Sequence, residues 1–520
     1  MLMSRFRRVV HNITSSYAVL AATALYSLAS VPLALHYLSK EAFALWALMS
    51  SIGGYLNLID LGMSGSVARL LIDHKDEREI GVYGSILKTG WLVLAVQGLL
   101  LLMAGLILAP ILSGLLKIQP DLKGDFIRLM QWQSTALALG LAMRISNHLL
   151  FAHQRLDIIG YIQMATLAAN FALQWLFFGM QMGVLSLAWS SLAASLLGTA
   201  VSMMVCAWLH LFPPPGRWGH ANMKAFKEIF GFGKDLFLVA VGGQLIMASQ
   251  TMIITRVLGL EAAALWAVGT RAFNLILQVV CRVADVSCPP LAEMMVRGER
   301  ALLRSRYQSV IMLTASLSGF CAVAFALCNS SFVAVWTHGK FEWPPLNNLL
   351  LGAWLLVLAI LHAHNCFVLM SKQIRFMRYI YFVEGLVFVT SAFLSSHWGG
   401  LPAVILCSVV CSTCFSGAYG VWRVARYFDC SIKEVALRWL APMARLLAIL
   451  GPAALLVWWG LRLTEDALLR LVLVGIFCGS IGSYLFLRFG LPHTVQRELL
   501  DRAPQGMNPV LRWVFVEVGQ

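Results

Sequence analysis

Apolar residues run along this chain in stretches of 18 to 30, separated by short polar or basic segments. That is the length at which an α-helix crosses the hydrocarbon of a bilayer, whereas barrel strands would alternate over about ten residues. Fourteen such stretches begin near residues 15, 42, 85, 129, 158, 184, 234, 262, 308, 347, 376, 399, 441 and 467. The pattern predicts an all-α polytopic membrane protein with about 14 transmembrane helices. The eighth stretch, within residues 258–290, departs from the apolar rule. Arg271, Asn274, Gln278, Arg282 and Asp285 recur there every three or four residues. On a helix they fall within an arc of roughly 80°, while Leu275, Leu277, Val279, Val280 and Val283 cover the rest. An arginine at bilayer depth costs about 2.5 to 3.5 kcal/mol even on the mild insertion scale, so the stripe implies a water-filled, protein-lined cavity.

Composition agrees: 59% of residues are hydrophobic and 12% charged, and a soluble surface needs about twice that charge. The basic residues fix an orientation. With the N-terminus cytoplasmic, 26 Lys and Arg fall on the inner side and seven on the outer, a strong positive-inside bias. The inner set includes Arg5, Arg7, Arg8, Lys75, Arg78, Arg217, Lys372, Arg375 and Arg512. The net charge of +15 therefore reports topology and anionic lipid rather than nucleic-acid binding. Arg5, Arg7 and Arg8 precede a first apolar run without a small-residue cleavage site, so that span is expected to be retained. Of the 11 cysteines, Cys407, Cys411 and Cys414 share a face inside an apolar span with no His or carboxylate beside them. That is helix packing, and no metal site is expected.

The chain also repeats itself. EAFALWA at 41–47 returns as EAAALWA at 261–267, six identities in seven at an offset of 220. The offset carries Leu38 onto Leu258, Trp46 onto Trp266 and Ser85 onto Ser305; shifted by two, it carries Asn147 onto Asn365 and Tyr161 onto Tyr379. Two six-helix lobes in parallel repeat are expected, related by an axis along the membrane normal because six is even. The N-terminal lobe is placed at 1–212, a linker that begins Pro213-Pro214-Pro215-Gly216 at 213–233, the C-terminal lobe at 234–425, spans 13 and 14 at 426–489, and a cytoplasmic tail at 490–520. In the tail, Leu511, Trp513, Val514 and Phe515 with Arg512 suggest an interfacial patch.

Intramembrane polar groups are the remaining candidates. Arg271 reads as a cavity-facing anion contact or a structural pair. Arg282 and Asp285 are three apart and can pair with each other. Span 4 carries Arg144, Asn147 and His148, and its counterpart, span 10, carries His362, His364 and Asn365, as facing walls of one cavity would. His362 and His364 point about 200° apart, so they are no metal pair. In span 2, Ser50, Gly54, Asn57, Asp60 and Ser64 form a second stripe. Asp60 can titrate with a coupling proton, bind a cation or cap a helix. Asp285 and Glu384 are further coupling-ion candidates, the latter a carboxylate among apolar neighbours. Gln244, Thr251 and Thr255 share a face of span 7, as do Ser16, Thr23, Ser27 and Ser30 on span 1. No phosphate-binding glycine loop, nucleophile elbow or zinc-protease motif occurs, so no cofactor is expected and transport draws on a gradient or on the substrate's own concentration difference.

The stretch EAFALWALMSSIGGYLNLIDLGMSGSVARLL (41–71), with Asp60-Leu61-Gly62 near the end of span 2, resembles bacterial O-antigen and exopolysaccharide flippases. These belong to the superfamily that also holds multidrug and toxin extruders and the lipid II flippase. FGFGKDLFLVAVGGQLIMASQTMIITRVLGLEAAALWAVGTRAFNLI (230–276) is similar to that family's start of the second lobe. The resemblance implies translocation of an undecaprenyl-pyrophosphate-linked oligosaccharide across the bacterial cytoplasmic membrane through a cation-lined cavity by alternating access. It also implies that Arg271 lies in that cavity and that Ser27 and Ser30 stand at a lateral gate. Intramembrane cations are fewer here than the family often carries: Arg144, Arg271, Arg282 and Arg445.

The expected function is thus a flippase for cell-surface polysaccharide, not an enzyme. Arg271 and Arg144 would hold the pyrophosphate; Asn147, Asn274, Gln278 and Gln244 would bond sugar hydroxyls, with His362, Asn365 and Arg282 completing the set. Membrane lipids, a polysaccharide polymerase and a chain-length regulator are the expected partners. A cation-coupled multidrug extruder of the same fold is the alternative, and a membrane glycan polymerase or ligase the third reading, disfavoured by the short outer loops.

Overall fold

The computed structural model describes residues 2–74, 81–153, 155–371, 376–464, 466–502 and 515. Lys75, Arg78, Lys372, Arg375, Leu511, Arg512, Trp513 and Val514 lie outside the described residues. Within them the chain is helical, with no strand. Thirteen helical runs are long and apolar enough to cross a membrane. They are α1 (Ala18–Tyr37), α2 (Lys40–Asp60), α3 (Val82–Leu115), α4 (Pro120–Ala152), α5 (Leu156–Gly179), α6 (Leu185–Trp208), α7 (Phe237–Leu258), α8 (Leu260–Val296), α9 (Arg300–Trp336) and α10 (Pro345–Met370). The run Met377–Tyr427 follows, then α13 (Glu434–Leu461) and α14 (Ala467–Gly490). At 51 residues, Met377–Tyr427 is about twice the length a bilayer accommodates. It is broken at Gly400, φ 57°, two residues before Pro402. We number its two halves α11 and α12, which makes fourteen spans and an all-α polytopic membrane protein.

The chain divides into two compact units, Met1–Ala264 and Leu265–Gln520. Sequence repetition places the join at 213–233; packing places it later, because α7 lies on α2 and the helix Met223–Met247, which leads into α7, lies on Met63–Asp73. In the first unit α3 packs along α4, α1 along α5, and α4 against α2 and α6. The end of the expected linker is tied to the start of α3. Ser85 Oγ donates to the His220 carbonyl at 2.5 Å, Lys88 Nζ donates to that of Gly219 at 3.0 Å, and Asn222 caps the Met223 helix by accepting from Ala225 N.

In the second unit α8 packs on α9 and α10, and α13 and α14 lie along α9, where Leu446, Leu450 and Phe477 meet Phe320, Val323 and Leu327. Phe515 of the tail is buried against Leu491. α8 is two helices, Leu260–Gly269 and Arg271–Val296, interrupted at Thr270. A buried amide network holds that break. Asn329 Nδ2 donates to the Gly269 carbonyl at 3.0 Å and to Asn348 Oδ1 at 2.9 Å. Trp343 Nε1 donates to the same Oδ1 at 2.7 Å, and Asn348 Nδ2 donates to Ser330 Oγ at 2.8 Å. The Trp343 ring lies so close that a Cβ at position 269 would run into it; only glycine fits there.

Replacing Asn329 by Leu takes the side-chain donor from the Gly269 carbonyl and one of two donors from Asn348 Oδ1 in an apolar interior, a loss of about 1–3 kcal/mol. The thermal unfolding midpoint of the detergent-solubilised variant should fall clearly, whereas Val279→Ala, on the exposed side of α8, should leave it nearly unchanged. Equal midpoints for Asn329→Leu and wild type would contradict this role.

Candidate functional site

The break at Thr270 makes Arg271 the first residue of the longer half of α8. From there the helix is divided by face. Phe273, Val280, Ala284 and Leu291 are buried, and Phe273 stacks on Trp354 of α10 with ring centroids 5.2 Å apart. Asn274, Gln278 and Arg282 are exposed and Arg271 is half-buried on the other side. Four polar side chains thus project, over three turns, from a helix whose opposite face is packed.

The stripe ends in a cluster. His362 Nε2 of α10 lies 2.8 Å from Asp285 Oδ1, and Arg282 Nη1 lies 4.0 Å from Asp285 Oδ2. Both Asp285 and His362 keep more than a third of their side-chain surface, 38% and 37%. The pairing of Arg282 with Asp285 offered by their spacing is therefore present but loose, and His362 is the closer partner. Cys366, one turn on from His362, brings Sγ to 3.7 Å from His362 Nε2.

The other candidates of this unit are placed differently. Asn365 donates from Nδ2 to the Tyr381 hydroxyl. Glu384 is fully buried and its Oε2 accepts from the Ser416 amide at 3.1 Å, at the π-helical turn Thr413–Gly417 of α12. His364 is buried beside the Tyr307 hydroxyl, 2.7 Å from its Nδ1.

In the first unit, Asp60 closes the 3₁₀ turn at the end of α2, after which Leu61 and Gly62 take left-handed φ of 50° and 72°. The chain then restarts as the helix Met63–Asp73, whose Ser64 amide and hydroxyl both donate to Asp60 Oδ1, at 3.0 and 2.7 Å. Of the three roles open to Asp60, helix capping is the one visible in its contacts. Arg144 Nη1 reaches Ser64 Oγ at 3.5 Å, and Gln97 Nε2 donates to the carbonyls of Ile59 and Asp60 at 3.0 and 2.8 Å. Asn147 is exposed and accepts from Ser202 at 2.9 Å. Gln244 lies over Gly54, its Oε1 2.7 Å from where a Cβ would stand. Ser27 and Ser30 are buried, and Ser30 Oγ donates along its own helix to the Ser27 carbonyl.

Arg271, Asn274, Gln278, Arg282, Asp285, His362, Asn365 and Glu384 thus belong to the second unit, and Ser27, Ser30, Asp60, Arg144, Asn147 and Gln244 to the first. Sequence reading missed Gln97, Asn329, Asn348 and Cys366. The three amides carried a signal, being strong hydrogen-bonding groups inside apolar runs. Cys366 carried its signal in the four-residue spacing from His362.

Comparison with known proteins follows the same line. Residues 33–341 match the family described as polysaccharide biosynthesis protein. No curated protein matches the chain. Among solved structures, the lipid II flippase MurJ in an inward closed conformation aligns with a TM-score of 0.66 at 12% identity, covering 92% of this chain and 98% of that one. A multidrug resistance MATE family transporter of the MOP superfamily, inward-facing, gives 0.64 at 14% identity over 78% and 96%. The Vibrio cholerae MATE transporter VcmN, in its bent form, gives 0.53 at 16% identity over 83% and 99%. At such identities the likeness is one of fold. With more than half of its length matched, the chain belongs to the polysaccharide biosynthesis protein family, and it has the fold of the MOP superfamily, that of multidrug, oligosaccharidyl-lipid and polysaccharide exporters.

Proposed function

We propose that this protein is a flippase that moves an undecaprenyl-pyrophosphate-linked oligosaccharide from the cytoplasmic to the periplasmic leaflet of a bacterial inner membrane, by alternating access and with both termini cytoplasmic. The observation that carries the reading is the stripe Arg271, Asn274, Gln278 and Arg282 on a membrane-spanning helix whose other face is packed. The family match on polysaccharide biosynthesis supports a glycan cargo. The likeness to a lipid II flippase supports movement of a lipid-linked one.

The costly step is carrying a pyrophosphate and sugar hydroxyls through hydrocarbon. The Arg271 guanidinium meets the pyrophosphate as a two-pronged donor. Asn274 and Gln278 replace water around sugar hydroxyls, and Asn365 and Arg282 extend that polar lining. In the first unit the cargo contacts are Arg144, Asn147 and Gln244. The polyprenyl tail stays in lipid throughout, entering past Ser27 and Ser30. Of the coupling-ion candidates, Asp285 lies on the stripe itself, and Asp60 and Glu384 are held by backbone amides. A cation extruder would need carboxylates to dominate the stripe, and Arg271 and Arg282 outnumber Asp285. A polysaccharide polymerase and chain-length regulator are the natural partners downstream.

In cells whose surface polysaccharide depends on this protein, Arg271→Ala should reduce that polysaccharide at least tenfold with protein level unchanged, since a charge-assisted hydrogen bond contributes about 1.5–3 kcal/mol. Arg271→Lys, a point charge without the fork, should fall between the two. Wild-type polysaccharide in the Ala variant would overturn the assignment. Gln278→Leu removes only neutral hydrogen bonds and should lower the yield by roughly two- to twelvefold, about 0.5–1.5 kcal/mol, read on the same gels.

A further inference from the structure

The polar stripe ends where α8 and α10 bring together donors of a different chemistry. Asp285 Oδ, His362 Nε2 and Cys366 Sγ all lie within 4.8 Å of one another. His362 and Cys366 stand at i and i+4 and so share one helix face, opposite Asp285 of α8. We propose that Asp285, His362 and Cys366 form a binding site for a divalent cation of the zinc class, bolting α8 to α10, with water completing the coordination.

The donor set selects the ion. One imidazole nitrogen, one carboxylate oxygen and one sulfur suit zinc or a similar borderline-soft cation, whereas sodium, magnesium and calcium require oxygen ligands. The geometry is close to what such an ion needs. With bonds of about 2.0–2.3 Å to N, O and S in a tetrahedron, ligand atoms stand about 3.3–3.7 Å apart. Cys366 Sγ and His362 Nε2 are already 3.7 Å apart. His362 Nε2 and Asp285 Oδ1, now at 2.8 Å, open by roughly half an ångström, and the longest separation closes by about one, which side-chain rotation supplies.

Charge also balances. A divalent ion with one carboxylate, one thiolate and a neutral imidazole is uncharged overall, and Arg282 lies 4.0 Å from the other Asp285 oxygen. Binding releases the proton of the Cys366 thiol. The exposure of Asp285 and His362 gives the ion a way in. Cys281 and Cys288, one turn before and one turn after Asp285 on α8, stand outside the three.

The site goes beyond the transport reading and is tested without cargo. The purified full-length protein, stripped with chelator, is dialysed against zinc chloride, washed and assayed for bound metal; cobalt(II) replaces zinc for spectroscopy. One zinc per chain is expected, with a near-ultraviolet thiolate-to-cobalt absorption. Cys366→Ser and His362→Gln should each weaken binding at least tenfold, and Cys366→Ser should diminish the thiolate absorption. Cys430→Ser, a change outside the cluster, should retain both. Monodispersity on gel filtration establishes that each variant is folded. No zinc retained by wild type, equal retention by folded Cys366→Ser and His362→Gln, or a cobalt spectrum without thiolate absorption would each overturn the site.

Discussion

A single hydrogen bond carries much of the second unit's design. Where α8 is interrupted at Thr270, the Gly269 carbonyl receives the Asn329 amide, itself bound to Asn348, which is bound to Trp343 and Ser330. An unsatisfied carbonyl in hydrocarbon costs several kcal/mol, so the break exists because α9 and α10 supply donors to it. The break in turn starts a new helix at Arg271 and sets which residues face the packed core and which face away. Without it, the stripe from Arg271 to Arg282 has no fixed direction.

The two units handle the carboxylates Asp60 and Asp285 by related means. In the second, Asp285 is approached directly by His362 from α10 and loosely by Arg282. In the first, Asp60 is held by Ser64, and Ser64 by Arg144 from α4. Each acid is met by a nitrogen-bearing side chain from the fourth helix of its own half, once through an intervening hydroxyl. Ionisable residues in spans persist where such partners exist. Asp60 is thereby committed to its helix restart, while Asp285 stays accessible.

Much of this was legible in the sequence. Apolar run lengths gave an all-α polytopic chain, and the boundary near residue 399 falls one residue from the left-handed Gly400 that separates α11 from α12. The three- and four-residue spacing of Arg271, Asn274, Gln278, Arg282 and Asp285 is a purely helical property, so their common face could be read without coordinates. What could not be read depends on partners distant along the chain. Asn329 and Gly269 are 60 residues apart and His362 and Asp285 are 77 apart; nothing in local periodicity couples them. The break at Thr270 was hidden because its sequence, AVGTRAFN, contains no proline and the apolar pattern runs through it. The cluster of Asp285, His362 and Cys366 escaped for the same reason: His362 was weighed against His364 on its own helix, while its companion Asp285 stands on another.

The most direct measurement of the central claim is transbilayer movement of a labelled undecaprenyl-pyrophosphate glycan in proteoliposomes, with and without a pH gradient. Wild-type protein should move the lipid-linked glycan between leaflets well above protein-free vesicles, and Arg271→Ala should bring that rate down toward the vesicle background. No movement by wild type, with efflux of organic cations in its place, would contradict the flippase reading and assign the stripe to drug extrusion.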